Sequence, residues 1–510
     1  MHLGWFIRSN MESLVDLVFA SYDADEWPSR AETAYESLFG ADGGRYRSYA
    51  LGNKAKVRAP KADPPFAALI HPSNPDSGAY GGMSFVIFPQ DSDEEEFQPA
   101  LFGLVLGTRG LNPDERILAR PGHARHAQAI TEWLNAEFGD GAVTAWAKAD
   151  PVQTTQSVPD HVRQQFAEHT SVFDKYGSEM YAFFDPAQGA DTEAEQRRAT
   201  DQALKVFLDF LFRERGETPL SAARDEADRL QQSYQSHFFP GLAREDAASL
   251  LRERRYVILQ GPPGTGKTRM ALSLRDNEYE GRGRTIQFHP GTTYEDFVGG
   301  LGPEQTSGEA DFGFRFSPQK GALLRAAEQA QEVAPDPYLL HIDEINRADL
   351  ANVLGETIFL LEPGREQDAT VGLAHDFGPP FHDELRLPDN LHLLGTMNTA
   401  DRSIAALDVA IRRRFAFASL WPQMDVVEAN SVDLMTQKFR ELQTMFVDQA
   451  PDDAFPLLPG HSYFLAEDRP SAVRTLQSEL VPLLEDYLRR GYVSGFEGEI
   501  QSYVQSVKSL

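Results

Sequence analysis

An α/β core built on a parallel sheet, with a helix-rich end behind it and an α+β region in front, is the architecture this sequence predicts. Two observations carry the prediction. Between about 241 and 422, apolar strand candidates alternate with helical segments, the pattern of a parallel sheet with crossover helices. Within that stretch three apolar runs each end in residues that carry chemistry. Tyr256–Leu259 leads into GPPGTGKT, Tyr338–Ile342 ends in the adjacent acids Asp343 and Glu344, and Leu391–Met397 ends in the amide Asn398. The remaining regions follow in order. Residues 1–185 mix helical segments at Met11–Ser21 and His126–Phe138 with strand candidates at Phe66–Ile70, Met83–Phe88 and Ala100–Gly107, which reads as α+β. Residues 186–240 are polar and charged, with helical spacing at Ala203–Arg213 and Ala222–Tyr234, and read as a helical connector. Residues 423–510 are helix-rich, as at Ala472–Arg490; the acidic run Asp91–Glu96 reads as a solvated loop.

The run Gly261, Pro262, Pro263, Gly264, Thr265, Gly266, Lys267, Thr268 follows a strand and opens a helix. Glycines at both ends let backbone N–H groups turn toward an anion, Lys267 reaches terminal phosphates, and the Thr268 hydroxyl suits a Mg²⁺ shell. A nucleoside triphosphate with Mg²⁺ is the ligand this predicts. Asp343 is placed to hold the Mg²⁺, and Glu344 to polarise the water that attacks the terminal phosphate. Asn398 suits orienting that water. Downstream, Arg412, Arg413 and Arg414 form a cationic run; a guanidinium offered to a neighbouring subunit's terminal phosphate would stabilise transition-state charge. A basic turn capping a helix C-terminus is the alternative for each of the three.

Together, GPPGTGKT, FHPGTTYEDFVGGL (288–301), HIDEINRADL (341–350) and LLGTMNTADRSIAALDVAIRRRF (393–415) resemble the AAA+ module of the McrB family, the NTP-driven subunits of modification-dependent restriction systems. The resemblance spans roughly 240–500 and implies a P-loop AAA+ sheet with a helical lid. It also implies a ring, a hexamer, with nucleotide sites between subunits, and a separate McrC-like nuclease. MNTADR matches the family's signature, which carries catalytic roles onto Asn398, Asp401 and Arg402, beside the fingers Arg413 and Arg414. LPGHSYFL (458–465) resembles the start of the family's lid. The nucleotide is left as ATP or GTP. The best-known member of the family uses GTP, most AAA+ proteins use ATP, and no guanine-reading NKxD segment follows the P-loop; Asn53–Lys54 lies in another region and lacks the Asp.

Composition limits what else the chain does. Its 510 residues carry 77 acidic and 48 basic side chains, a net charge of −29 that opposes non-specific attraction to nucleic acid, so any DNA contact is local. Zero cysteines exclude disulfides, thiolate zinc sites and a cysteine nucleophile. No apolar run approaches the roughly 20 residues that span a membrane. MHLGWFIRSNMESL lacks the features of a secretory signal, so a cytoplasmic protein with no membrane partner is expected.

The segment Pro64–Glu115 resembles the N-terminal domain of many McrB-type ATPases, which implies DNA recognition. Just before it, Gly43–Lys61 contains Arg45, Arg47, Lys54, Lys56, Arg58 and Lys61 with no acid, interleaved with Tyr46 and Tyr49. Cations hold phosphates and aromatic rings stack on exposed bases, so this is the candidate DNA contact, with Tyr46, Tyr49 or Tyr80 available to a flipped, modified base. A basic face that balances acidic neighbours is the alternative. His123 and His126, at i and i+3, have no third ligand by spacing. No acid, acid-x-Lys nuclease constellation is found, so cleavage is expected on another chain. Three functions remain open: a DNA-selecting ring NTPase driving a nuclease, a MoxR-like remodelling ATPase acting on protein, and a ring that uses NTP as an assembly switch.

Overall fold

The computed structural model describes residues 10–510 apart from 41–43, 48–55, 61, 76–79, 91–97, 108–119, 151–155, 306–313, 363–368, 401–406 and 408. The chain forms two compact units, Met1–Phe238 with Phe446–Pro451, and Phe239–Met445 with Asp452–Leu510.

The first unit is built on an antiparallel sheet of β1 (Lys56–Arg58), β2 (Ala67–Ile70), β3 (Met83–Phe88), β4 (Leu101–Leu106), β5 (Ala145–Ala147) and β6 (Met180–Phe184), in the order β1-β2-β3-β4-β6-β5. Every residue of β2, β3, β4 and β6 is buried. Their sequences are accordingly continuous apolar runs, because both faces of the sheet are covered. On one face Phe88, Val105 and Phe183 pack with Phe166 and Phe173; on the other Phe85 and Phe102 meet Tyr35 and Phe207. Gly103 marks where β6 comes closest: a methyl group there would lie 2.0 Å from the Ala182 carbonyl oxygen. The polar stretch 186–240 forms helices Glu193–Glu214 and Ser221–Gln235. Leu204, Phe207, Leu208 and Leu211 on the first of them are fully buried, so this segment joins the core of the first unit as well as linking onward.

The second unit holds β7 (Tyr256–Gly261), β8 (Gly283–Gln287), β9 (Gly299–Gln305), β10 (Phe314–Lys320), β11 (Tyr338–Asp343), β12 (Val371–Gly372), β13 (Glu384–Leu385), β14 (Leu391–Asn398) and β15 (Ala416–Ser419). Five of these make a wholly parallel sheet in the order β15-β7-β14-β11-β8. The expected α/β fold is thus found, with the α+β region before it and a helical region after it. Successive residues of β7 serve opposite layers. Tyr256 and Ile258 pack with Leu324 and Ala327 of helix Ala322–Val333, while Val257 and Leu259 pack with Leu251 and Leu274 of helices Arg244–Arg254 and Lys267–Glu278. Burying each such Leu contributes about 1.5–3 kcal/mol relative to exposure. The run at 472–490 is helical, as expected, with a π turn inside it. Arg469–Thr475 passes through a π turn at Leu476–Leu480 into Val481–Arg489, where Pro482 has no N–H to continue the ladder.

Candidate nucleotide site

Parallel register brings the chemistry to one edge. Asn398 lies opposite Gly261 and Ile342 opposite Gly395, so β7, β14 and β11 end side by side at their C-terminal edge, where open α/β sheets bind ligands. From β7 the chain turns through Gly264 (φ +82°) and Gly266 (φ +84°), left-handed conformations that favour glycine, and enters helix Lys267–Glu278. Thr265 is buried and its hydroxyl donates to Pro262 O over 3.0 Å, which fixes the loop internally. The helix N-terminus then presents its unpaired N–H groups to the cleft.

Lys267 is 7% exposed, and its Nζ donates to Gly261 O (3.1 Å) and Pro262 O (2.7 Å). Burial pulls its pKa down to about 8, against the pull of Glu344 and Asp343 in the other direction. A buried ammonium that bonds two carbonyls among the described residues has capacity for an anion. Asp343 Oδ1 accepts hydrogen bonds from the Thr268 hydroxyl (3.0 Å) and the Thr396 hydroxyl (2.5 Å). Glu344 adopts φ 53°, ψ 44° just past the strand; its Oε1 accepts from Asn398 Nδ2 at 2.8 Å and its Oε2 lies 3.3 Å from Arg347 Nε. Pro263, Gly264, Gly266, Lys267, Thr268, Asp343, Glu344, Thr396, Asn398 and Ser462 line one cleft. Thr396 was missed in the sequence, although it stands two residues before Asn398 and so on the same side of β14.

The three arginines differ. Arg412 lies over the Phe417 ring, 5.5 Å from its centroid. Arg414 is 8% exposed and tied to Glu362 Oε2 (2.8 Å) and Ala410 O (2.6 Å), a built-in structural role. Arg413, with a side chain 60% exposed and a 3.3 Å contact to Glu362, is presented outward, as the exposed Arg412 also is. Asp401 and Arg402 lie outside the described residues.

The model for the AAA domain, dynein-related subfamily, matches residues 256–415. The Type IV methyl-directed restriction enzyme EcoKMcrB subunit of Escherichia coli (strain K12) is 30% identical over 363 residues, 66% of this chain and 76% of that protein. The chain belongs to the McrB family of AAA+ ATPases. An aligned share of 66% is larger than the second unit, so the McrB likeness extends into the first. The Type II restriction enzyme BsuMI component YdiS of Bacillus subtilis (strain 168) is 30% identical over 199 residues, 32% of this chain and 57% of that protein. A putative ATPase from Cytophaga hutchinsonii has a TM-score of 0.24 at 14% identity over 40% of this chain and 61% of that one, which adds nothing to the sheet order described above.

In the first unit of this McrB-family chain the basic stretch is not a uniform solvent face. Arg45 is buried, held by Asp209 (2.8 and 2.5 Å) and Glu226 (2.8 Å), and the Tyr46 hydroxyl donates to Asp209 at 2.5 Å while its ring packs 4.1 Å from that of Phe212. This corrects the expectation for these two residues: both are spent on the core, because Asp209 on a neighbouring helix needs a buried cation. Arg47 is exposed, Lys56 is half-buried and donates to Asn74 O, and Arg58 lies over the half-buried Tyr80 ring at 5.8 Å. Lys54, Tyr49 and Lys61 lie outside the described residues, as do Asn53 and Asp91–Glu96. The Pro64–Glu115 segment supplies β2, β3 and β4. His123 bonds the Tyr181 hydroxyl at 2.7 Å and His126 bonds Asp448 at 2.8 Å; burial lowers their pKa to about 3 and about 4. Among the described residues no group of three or more His, Asp or Glu gathers to hold a metal, and no helix is long and apolar enough to cross a membrane.

Proposed function

We propose that this chain is the nucleotide-driven subunit of a modification-dependent restriction system. It hydrolyses ATP or GTP between the subunits of a hexameric ring, selects DNA through its first unit and drives an McrC-like nuclease. The observation that carries the reading is the convergence of Lys267, Thr268, Asp343, Glu344 and Asn398 on one cleft at the sheet edge.

In this reading the N–H groups of the 264–268 loop and the Lys267 ammonium bind the phosphates. The Thr268 hydroxyl and the Asp343 carboxylate form an oxygen-only pair that fits Mg²⁺, which when bound supplies positive charge against the phosphate oxygens. Glu344 takes a proton from the attacking water, and the Asn398 amide holds Glu344 in line to do so. Arg413 reaches the terminal phosphate of the next subunit, while Arg414 holds the turn from which it projects. Asp401 and Arg402 keep the roles that the MNTADR match implies.

The test is steady-state phosphate release by the full chain with ATP and with GTP, in the presence of methylated DNA, unmethylated DNA or none, together with capture of partners from neighbouring genes. Release that rises with methylated DNA, and a captured nuclease, are the expected results. The burial of Arg45 and Tyr46 gives the protein-remodelling reading its one specific support; a full chain that hydrolyses nucleotide yet binds no DNA at low salt would favour that reading.

A further inference from the structure

Within the first unit, helices Glu193–Glu214 and Ser221–Gln235 border a cavity of about 150 Å³. Much of its wall is apolar: Val206 and Phe210 come from one helix, Leu230 and the Tyr234 ring from the other. Arg224 and Asp228 are exposed and mark its mouth.

Two polar groups of the lining lack partners. Tyr234 is 6% exposed, and its hydroxyl has no hydrogen-bond partner among the described residues. Burial raises its pKa to about 12, so at neutral pH it is a donor. Arg213 is half-buried beside Phe210, 5.8 Å from the ring centroid, and no carboxylate among the described residues comes within ion-pair distance of it. The neighbouring cations are spent: Arg45 pairs with Asp209 and Glu226, and Lys205 with Asp201 and Glu226. In a chain of 77 acidic and 48 basic side chains, a carboxylate partner for Arg213 would be the ordinary case.

The acids of the lining do not meet this need. Both oxygens of Asp209 are taken by Arg45, and Oδ1 also accepts from the Tyr46 hydroxyl. Glu217 is half-exposed and Asp228 exposed, where water and salt screen their charge. A buried hydroxyl and a half-buried guanidinium left unpaired are unfavourable unless a ligand meets them. An apolar wall with a few convergent polar groups is the usual make-up of a small-molecule site, and a cavity of this volume takes a body the size of one benzene ring.

We propose that this cavity binds a small organic anion with a single-ring body, the ring against Val206, Phe210 and Leu230 and the anionic group paired with Arg213 and hydrogen-bonded by the Tyr234 hydroxyl. Arg224 at the mouth supplies a second positive charge. The site is separate from the phosphate loop and does not depend on DNA selection by this unit.

Calorimetric titration of the full chain in the Lys267→Ala background, which removes the phosphate loop's contribution, tests this with phenyl phosphate, benzoate, phenol and inorganic phosphate. Phenyl phosphate and benzoate should bind, and phenol and inorganic phosphate, which lack the anion or the ring, should bind about tenfold more weakly or worse. Arg213→Gln should weaken both ring anions about tenfold, and Tyr234→Phe about fivefold. Ala227→Leu, which fills the cavity, should abolish binding. If Ala227→Leu lowers the melting temperature, Arg213→Gln decides, since the wild-type side chain has no ion pair to lose. Two competitors of phenyl phosphate separate the sources of such an anion: displacement by CMP alone assigns a free nucleotide, displacement also by a terminally phosphorylated DNA single strand assigns a strand end, and displacement by neither assigns a non-nucleotide anion. No binding of either ring anion at millimolar concentration, inorganic phosphate as tight as phenyl phosphate, or undiminished affinity in Arg213→Gln would overturn the proposal.

Discussion

Asn398 Nδ2 donates to Glu344 Oε1 across 2.8 Å, joining the tip of β14 to the residue just past β11. Glu344 is held there in a left-handed conformation, φ 53°, that a residue with a β-carbon adopts at a cost of about 1–3 kcal/mol. The amide therefore fixes the direction of a carboxylate whose backbone is already constrained. Asn398→Ala should leave nucleotide affinity near the wild-type value and slow turnover by roughly ten- to a hundredfold. Paired binding and single-turnover measurements check it; equal losses in both would make Asn398 a binding residue only.

Arg413 and Arg414 should separate. Arg413→Ala loses an exposed guanidinium, so melting temperature and nucleotide affinity should hold while turnover falls. Mixing it with Lys267→Ala should restore part of the activity, since an intact loop on one subunit can face an intact arginine on the next. Arg414→Ala strips a partner from Glu362 and should cost about 1–3 kcal/mol of stability, read as a lowered melting temperature. Absence of rescue under proven subunit exchange would place Arg413 outside the catalysis of its neighbour.

The lowered pKa of Lys267, about 8, sets a pH dependence. The side chain is charged below that pH and neutral above it, so nucleotide affinity should be level below about pH 7 and fall as pH rises through 8. A bound phosphate favours the ammonium, so the fall begins near pH 8 and continues up to the higher pKa of the complex. The limiting slope is one proton, about tenfold per pH unit. The effect on folding has the opposite sign: this group costs stability while charged, and stability rises as pH goes from about 8 toward its ordinary 10.5. Nucleotide titration of wild type between about pH 6 and pH 10, together with melting of wild type and of Lys267→Ala, whose stability should lack the rise above about pH 8, decides it.

In the first unit, Arg45→Ala should destabilise by about 3 kcal/mol, because Asp209 is left without its buried partner. Arg47→Ala should leave melting unchanged and, if this face contacts phosphates, lower DNA affinity and flatten its salt dependence. DNA affinity lost in Arg45→Ala at unchanged stability would reverse this assignment.

The parallel sheet and its edge were legible because β7, β11 and β14 are largely apolar runs that end in residues suited to phosphate and Mg²⁺ chemistry. A strand buried on both faces needs little else to be recognised. The hairpin of β9 and β10 was not legible, since GGLGPEQ has neither apolar alternation nor β-branched residues and its pairing comes from tertiary context. The basic stretch misled for a related reason. Arg45 is opposed by Asp209 and Glu226, more than 150 residues later in the chain, and no local pattern reveals a long-range ion pair. The segment 458–465 was noticed as a motif, but the backbone bonds of Gly460 and Ser462 to Pro263 and Gly264 were not legible, because only the fold brings the two loops together.

The central claim is that Lys267 binds the phosphates while Glu344 acts only in the reaction. Phosphate release and equilibrium nucleotide binding, measured together on wild type, Lys267→Ala and Glu344→Gln, test it most directly. Lys267→Ala should lose both; Glu344→Gln should bind like wild type and release phosphate roughly a hundredfold more slowly or worse. A Glu344→Gln protein that hydrolyses at the wild-type rate, or a Lys267→Ala protein with undiminished affinity, would contradict the account.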